Sequence, residues 1–336
     1  MKLREIGEFG LINLINEYLR DEQAENPGVT LGIGDDAAVV DSPKSGKILL
    51  TTDTMVENVH FNTSYARAED IGYKAMASNI SDIAAMAGVP EYAMVTLGLN
   101  SETEVEFITG LYKGITAAAQ NRGVTVVGGD MTKSAKLFIT ISLMGRAETR
   151  HVRLRSMAQA GDAVMVTGTL GGSAAALRLL KEGFRPGRGM PQALYDKHMR
   201  PAPRVKEASV AAAEGARAIQ DISDGLVADL GHICEASGTG ARIFLEKIPL
   251  FLNNRRMPKI PKPVAQKLAL AGGEDYELII TAPISKFHKI KTEIESQTGT
   301  KVTMIGDITD SVGEVLVIDA NGATVRRGKK GFDHFG

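Results

Sequence analysis

The stretch AETRHVRLRSMAQAGD, residues 147–162, followed by AVMVTGTLGG, residues 163–172, decides how this chain is divided. The first part is basic and carries no helical or strand period, whereas the second opens a new strand and turns through glycines into a helix. A boundary near residue 150 therefore separates two units, residues 1–148 and 149–336, as a length of 336 residues also favours. Upstream of it, Ile6, Phe9, Ile12, Ile15 and Leu19 recur at helical steps and predict an amphipathic helix ending near ENPGVT. Strands follow over 37–40 and 47–52 around the turn DSPKSG, then helices over 70–87 and 104–120, then strands over 123–127 and 136–146. Downstream, helices are expected over 171–182, 204–214 and 224–236 and strands over 241–245, 276–281 and 301–305, with MPKIPKP, residues 257–263, as a surface loop. Both halves mix helices and strands, so the class is α/β (α+β), with mixed sheets flanked by helices and no solenoid period.

Composition removes several kinds of function. Hydrophobic residues make up 43% and charged residues 24%, enough apolar material for a sizeable core. The net charge of -1 provides no electrostatic footprint for nucleic acid, and no apolar run is long enough to cross a membrane. A single cysteine, Cys234, in the apolar segment HICEASG, reads as a small buried hydrophobe and suits a reducing compartment, hence the cytoplasm.

The chemistry is carried by aspartates at strand ends and helix starts beside small residues: Asp35 and Asp36 in GIGDD, Asp53 in TTDTMVENVHF, Asp82 in NISDIAAMAG, Asp130 in GGDMT, and Asp221 and Asp224 in DISDGL. GGEDYE adds Glu274 and Asp275. One aspartate at such a place is an ordinary helix cap or turn residue. Capping does not explain TTD and GGD, where small neighbours leave room for a ligand. Carboxylates and hydroxyls without cysteine or histidine clusters suit hard cations, Mg²⁺ above all, and disfavour zinc. Of the six histidines, His60 alone lies beside such a motif. Were these carboxylates to converge around ATP and a phosphate ester, several Mg²⁺ ions would be needed to relieve the repulsion. GTLGGSAAAL, residues 168–177, has no lysine where a P-loop needs one; it is either a tight strand-to-helix turn or a helix N-terminus facing phosphate. The kinase signatures HRD and DFG are absent as well.

In their order and spacing GIGDD, TTDTMVENVHF, YKAMASNISDIAAMAG, GGDMT, RPAPR, DISDGL, GGEDYEL and GFDHFG resemble the thiamine-monophosphate kinase family along nearly the whole chain. That family belongs to the aminoimidazole ribonucleotide synthetase-like superfamily. The resemblance implies a two-domain fold, an N-terminal metal- and ATP-binding, dimerising domain, and a C-terminal domain completing the ATP and substrate site. It implies ATP as phosphoryl donor, several Mg²⁺ ions, thiamine monophosphate as acceptor and a homodimer. Asp36, Thr51, Thr52, Asp53, Asp82, Asp130, Asp221 and Asp224 match its metal ligands, with Asp53 and Asp224 central to catalysis. Tyr112, Gly129, Asp130, Arg155 and Ser223 match ATP contacts, though Tyr112 has an equal reading as a helix core or rim residue. His60, Glu274 and Phe332 match substrate contacts; Phe332 replaces the family's usual Trp or Tyr, keeping a stacking face but no polar handle. The cysteine nucleophiles of related selenophosphate synthetases and dehydratases have no counterpart. The implied reaction is direct in-line transfer of the γ-phosphoryl group, without a phospho-enzyme. A metal-dependent phosphohydrolase and a non-catalytic nucleotide-binding protein are the rival readings.

Overall fold

In the computed structural model, residues 5, 8, 10–17, 19, 28–42, 45–251 and 260–325 are described. Residues 10–17 are helical (α1). The first half forms a six-stranded sheet from β1 (Val29–Leu31), β2 (Ala38–Asp41), β3 (Lys47–Val56), β4 (Val89–Leu99), β5 (Thr125–Lys133) and β6 (Phe138–Ala147), in the order β1-β2-β3-β6-β4-β5. All neighbours are antiparallel except β4 and β5, which α3 (Val105–Gln120) joins as a parallel crossover. Strands β3 and β6 alternate along the chain, so Leu49, Thr51, Asp53 and Met55 face inward and Leu50, Thr52 and Thr54 face out.

One helix organises the site. Helix α2 (Ala68–Ala85) lies between this sheet, α3 and the second half, and is buried on nearly all sides. It meets α3 where Gly72 and Gly114 leave no room for a side chain: a Cβ on Gly72 would stand 2.0 Å from the Leu111 carbonyl, and one on Gly114 1.8 Å from that of Glu69. Its polar residues Asp70, Lys74 and Asp82, at four- and eight-residue steps, are therefore carried into the interior rather than to solvent.

The second half has its own six-stranded sheet, ordered β10 (Ile219–Asp221), β12 (Leu278–Pro283), β7 (Asp162–Thr167), β13 (Val302–Thr309), β11 (Gly240–Phe244), β14 (Val315–Ile318), with α4 (Gly172–Lys181), α5 (Gln192–Met199), α6 (Val205–Ala213), α7 (Leu226–Ser237), α8 (Lys262–Ala271) and α9 (Phe287–Thr298) around it. The short strands β8 (Arg185–Pro186) and β9 (Gly189–Met190) pair beside it. A contiguous apolar core runs from Val39 through Ile80 and Ile83 to Val166 and Leu230, joining the two halves. The α/β (α+β) class and the mixed sheets are as the sequence implies.

Several elements differ from expectation. Strand β4, which starts directly after Gly88, has no counterpart among the expected strands, and Pro90 within it falls at a register shift against β6. Strand β10, with three residues, is too short to show a period, and β14 and helices α5 and α9 were not foreseen. Within MPKIPKP, α8 starts at Lys262 with a proline in its first turn, where a missing N–H costs nothing. Cys234 is fully buried, as expected.

Candidate active site

The site forms where α2 meets the end of β10 and the turn between the halves. Asp36, from the loop before β2, Asp82, near the end of α2, and Asp221, at the end of β10, bring one carboxylate oxygen each to within 4.8 Å of one another. At roughly 4.5 Å and an effective dielectric near 20, each like-charged pair costs about 4 kcal/mol. Burial, joined by Asp53 and Asp221 for Asp82 and by Asp36 for Asp221, pushes these carboxyls well above the ordinary range. Asp53 lies on the inward face of β3, its N–H donating to Asn79 Oδ1 at 3.1 Å, and Thr51 donates its hydroxyl to Asp82 at 2.6 Å.

The partners of these carboxylates are telling. Asp36 pairs with the Arg155 guanidinium, while the Arg155 N–H donates to Asp35 at 2.8 Å, so the inter-half turn is pinned to GIGDD. Yet Oδ2 of Asp36 and both carboxylate oxygens of Asp221 are buried without a well-formed hydrogen bond, the Ser81 hydroxyl being near enough to Asp221 only to offset part of its upward shift. Buried carboxylate oxygens short of donors, in an all-oxygen set, are what a hard cation requires, and these residues fit Mg²⁺.

A second group, Asp224, Asp229 and His232, also gathers its ligand atoms within 4.8 Å. Asp229 has a structural role here: its Oδ2 accepts the N–H groups of Ser223, Asp224 and Gly225 at 3.1, 3.1 and 3.0 Å, shaping the turn that presents Ser223 and Asp224. His232 is kept neutral, its pKa lowered to about 4 by burial and by Arg155.

The loop GGEDY lies along that turn. Glu274 N–H donates to the Ser223 carbonyl at 2.7 Å and Tyr276 N–H to the Ile222 carbonyl at 3.0 Å. Gly273 is obligatory in this approach, because a Cβ there would stand 2.3 Å from the Ser223 oxygen. Glu274 reaches Lys74 of α2, Oε1 to Nζ at 2.5 Å. His60 is fixed by accepting the Val56 N–H on Nδ1 at 3.0 Å, and Lys74 donates to its carbonyl at 3.4 Å. Burial and the negative field of Glu274, Asp53, Asp221 and Asp82 push the Tyr276 phenol up.

Asp36, Thr51, Asp53, Asp82, Arg155, Asp221, Ser223 and Asp224 thus line one region, with His60 and Glu274 adjoining it. Thr52, Gly129, Asp130 and Tyr112 do not join it within the chain. Thr52 points from the opposite face of the sheet and bonds Ser142 at 3.1 Å. Asp53 shares a row with Gly129 through Ile141 and Val95, three strand spacings or about 14 Å away, and Asp130 is exposed on the outer face. Tyr112 lines a shallow groove of about 490 Å³ with Ile108, Thr116 and Met131. Phe332 lies outside the described residues.

Sequence reasoning missed Lys74, Asp229, His198 and His232. DLGH, residues 229–232, places its acid and histidine one helical turn apart, a usable signal; Lys74 inside an apolar helix gave none. The glycine-rich turn is not open to phosphate: Asp275 occupies the N-terminus of α4, accepting the N–H groups of Gly171 at 2.7 Å and Ser173 at 3.2 Å.

Known proteins resemble this chain along nearly its whole length. Residues 34–147 match the family model AIR synthase related protein, N-terminal domain, and residues 159–319 the corresponding C-terminal domain. The chain is 35% identical to a thiamine-monophosphate kinase of Bacillus subtilis, covering 98% of this chain and 99% of the relative. It is 40% identical to that of Aquifex aeolicus over 86% and 90%. A solved structure described as AaThiL complexed with AMPPCP and TMP superposes with a TM-score of 0.83 at 36% identity, covering 99% of both chains.

Proposed function

The chain belongs to the thiamine-monophosphate kinase family, and on that premise we propose that it transfers the γ-phosphoryl group of ATP to thiamine monophosphate, giving thiamine diphosphate and ADP. The observation that carries this reading is the triad Asp36, Asp82 and Asp221, in which carboxylate oxygens of Asp36 and Asp221 are buried and unbonded, adjoining the Glu274 loop at the junction of the two halves. Asp36, Thr51, Asp53, Asp82, Asp221 and Asp224 would hold several Mg²⁺ ions, which when bound screen the two phosphates from each other and neutralise charge on departing ADP.

The remaining roles fall to the protein's own groups. Arg155, locked by Asp35 and Asp36, presents a fixed positive charge, and Ser223 offers a hydroxyl at the nucleotide. His60 and Glu274, with Phe332, orient the acceptor. Its phosphate has a second pKa near 6 and is largely anionic at neutral pH, so transfer is direct and needs positioning more than a strong base. Residues 1–148 supply metal and ATP binding and residues 149–336 complete the site.

A homodimer through the first sheet completes this reading. The outer face of that sheet exposes Leu50, Tyr92, Met94 and Val127, an apolar surface unusual for a free sheet. A two-fold axis running along the strands sets β5 of one protomer over β3 of its partner, bringing Asp130 to the partner's Thr52 side, with Gly129 beside it. Cytoplasmic location agrees with the one buried cysteine. The test is ADP release by purified protein with ATP and Mg²⁺, with and without thiamine monophosphate, and product chromatography. ADP and thiamine diphosphate appearing together, only with the acceptor, is the expected result; phosphate released from thiamine monophosphate without ATP would make the protein a phosphohydrolase.

A further inference from the structure

The loop that carries Glu274 is held in a conformation its residues do not favour. Glu274 has φ 64° and Tyr276 φ 49°, both in the left-handed region, and neither is glycine. Such residues persist only where their surroundings fix them. Asp275 between them is 3% exposed and spans two first-turn N–H groups of α4, those of Gly171 and Ser173. The Ser173 hydroxyl stands 3.0 Å from Nδ1 of His198, a fully buried ring, and that same nitrogen stands 3.4 Å from Oε2 of Glu274. Burial first, then Lys74, lowers the His198 pKa to about 3, so the ring is neutral, with Nδ1 facing both the Ser173 hydroxyl and the Glu274 carboxylate. The circuit therefore runs from Glu274 through Asp275 to α4, and from Ser173 through His198 back to Glu274. Lys74 holds the other carboxylate oxygen from the first half of the chain.

We propose that Asp275, Ser173 and His198 are positioning residues for the acceptor substrate: anchored on the N-terminus of α4, they fix the backbone and carboxylate of Glu274 before the substrate arrives. The inference rests on the reading of Glu274 as a contact for thiamine monophosphate. A carboxylate already ordered loses little freedom on binding, so its contact appears in affinity for that substrate and not for ATP. The glycine-rich turn is thus an internal anchor, with its anion supplied by Asp275.

Ser173→Ala is the informative substitution. It deletes the hydroxyl facing His198, keeps the N–H that Asp275 accepts, and suits a helix. Loss of one hydrogen bond of about 1 kcal/mol corresponds to a roughly fivefold rise in KM for thiamine monophosphate, with KM for ATP unchanged and only a small fall in melting temperature. In a Glu274→Gln background the same substitution should add nothing further, because its effect passes through that carboxylate. Asp275→Asn, which sets an amide against the helix N–H groups, should raise the same KM more and lower stability as well. Unchanged KM for thiamine monophosphate in Ser173→Ala, a parallel rise in both KM values, or full additivity with Glu274→Gln would overturn the proposal. Wild-type protein inactive on thiamine monophosphate would remove its premise, and that result is read before any substitution is made.

Discussion

Asp82 has a hydroxyl donor in Thr51 and negative neighbours in Asp53, Asp221 and Asp36. In metal-free protein this arrangement is a cost. A carboxyl whose folded pKa is raised binds more protons folded than unfolded, so stability is greatest at low pH and is lost as pH rises past 3.8 and through the folded value. Asp82→Asn removes one charge yet keeps an oxygen for Thr51. Metal-free D82N should be more stable than wild type at pH 7 by about 1–3 kcal/mol, with a flatter pH profile, measured by urea unfolding in EDTA. Mg²⁺ should raise the melting temperature of wild type and not of D82N, and turnover of D82N should fall at least a hundredfold. A D82N protein less stable than wild type without metal would show that the three carboxylates do not repel as their spacing requires.

At the scale of elements, RPAPR, residues 200–204, is a staple between layers. Arg200 reaches Asp70 of α2 at 2.5 Å, and Arg204 grips Glu277 of the loop leading into β12 at 2.6 and 2.7 Å, with Lys197 of α5 on the same carboxylate at 3.0 Å. Despite burial, these two cations hold the Glu277 pKa at about 2. Because the folded value is depressed, its stabilisation is present above pH 4.5 and lost as pH falls through about 2, an amount of roughly 3 kcal/mol. Glu277→Gln should strip both cations of their shared carboxylate, leaving Arg204 only Glu207 as an ion-pair partner and Lys197 partly in water, costing about 2–3 kcal/mol at pH 7, and should shrink the difference in stability between pH 7 and pH 3. The sequence displayed RPAPR and GGEDYEL as motifs but not their pairing, since 73 residues separate Arg204 from Glu277. Periodicity showed α2, α3, β3 and β6 because each buries one face or has length enough to repeat. It missed β4 behind Gly88 and Pro90, and three-residue β10, where tertiary pairing overrides local signals. The acidic motifs were legible as a set. Which of them meet depends on β-register: Thr51 and Asp53 face α2, and Thr52 between them faces away.

That register has a consequence for the whole molecule. One chain places Asp53 beside the buried carboxylates and Asp130 three strands away on the outer face of the same sheet, so a single protomer cannot use both on one phosphate chain. In the proposed homodimer, with a two-fold axis along the strands, Asp130 of one protomer would stand at the Thr52 side of β3 in the other, the strand that carries Asp53. Met94, 54% exposed in the middle of that face, should then be an interface residue, and Met94→Glu should yield monomers by light scattering that are inactive although their own aspartates are intact. Complementation separates shared sites from independent ones. Asp53→Asn and Asp130→Asn homodimers should each be inactive. Unfolded together and refolded at equal ratio, half of the dimers are mixed, and each mixed dimer has one site with both wild-type residues and one with neither. Activity should return to roughly a quarter of the wild-type value. If each site were complete within one chain, every site in the mixture would carry one lesion, and mixing would restore nothing.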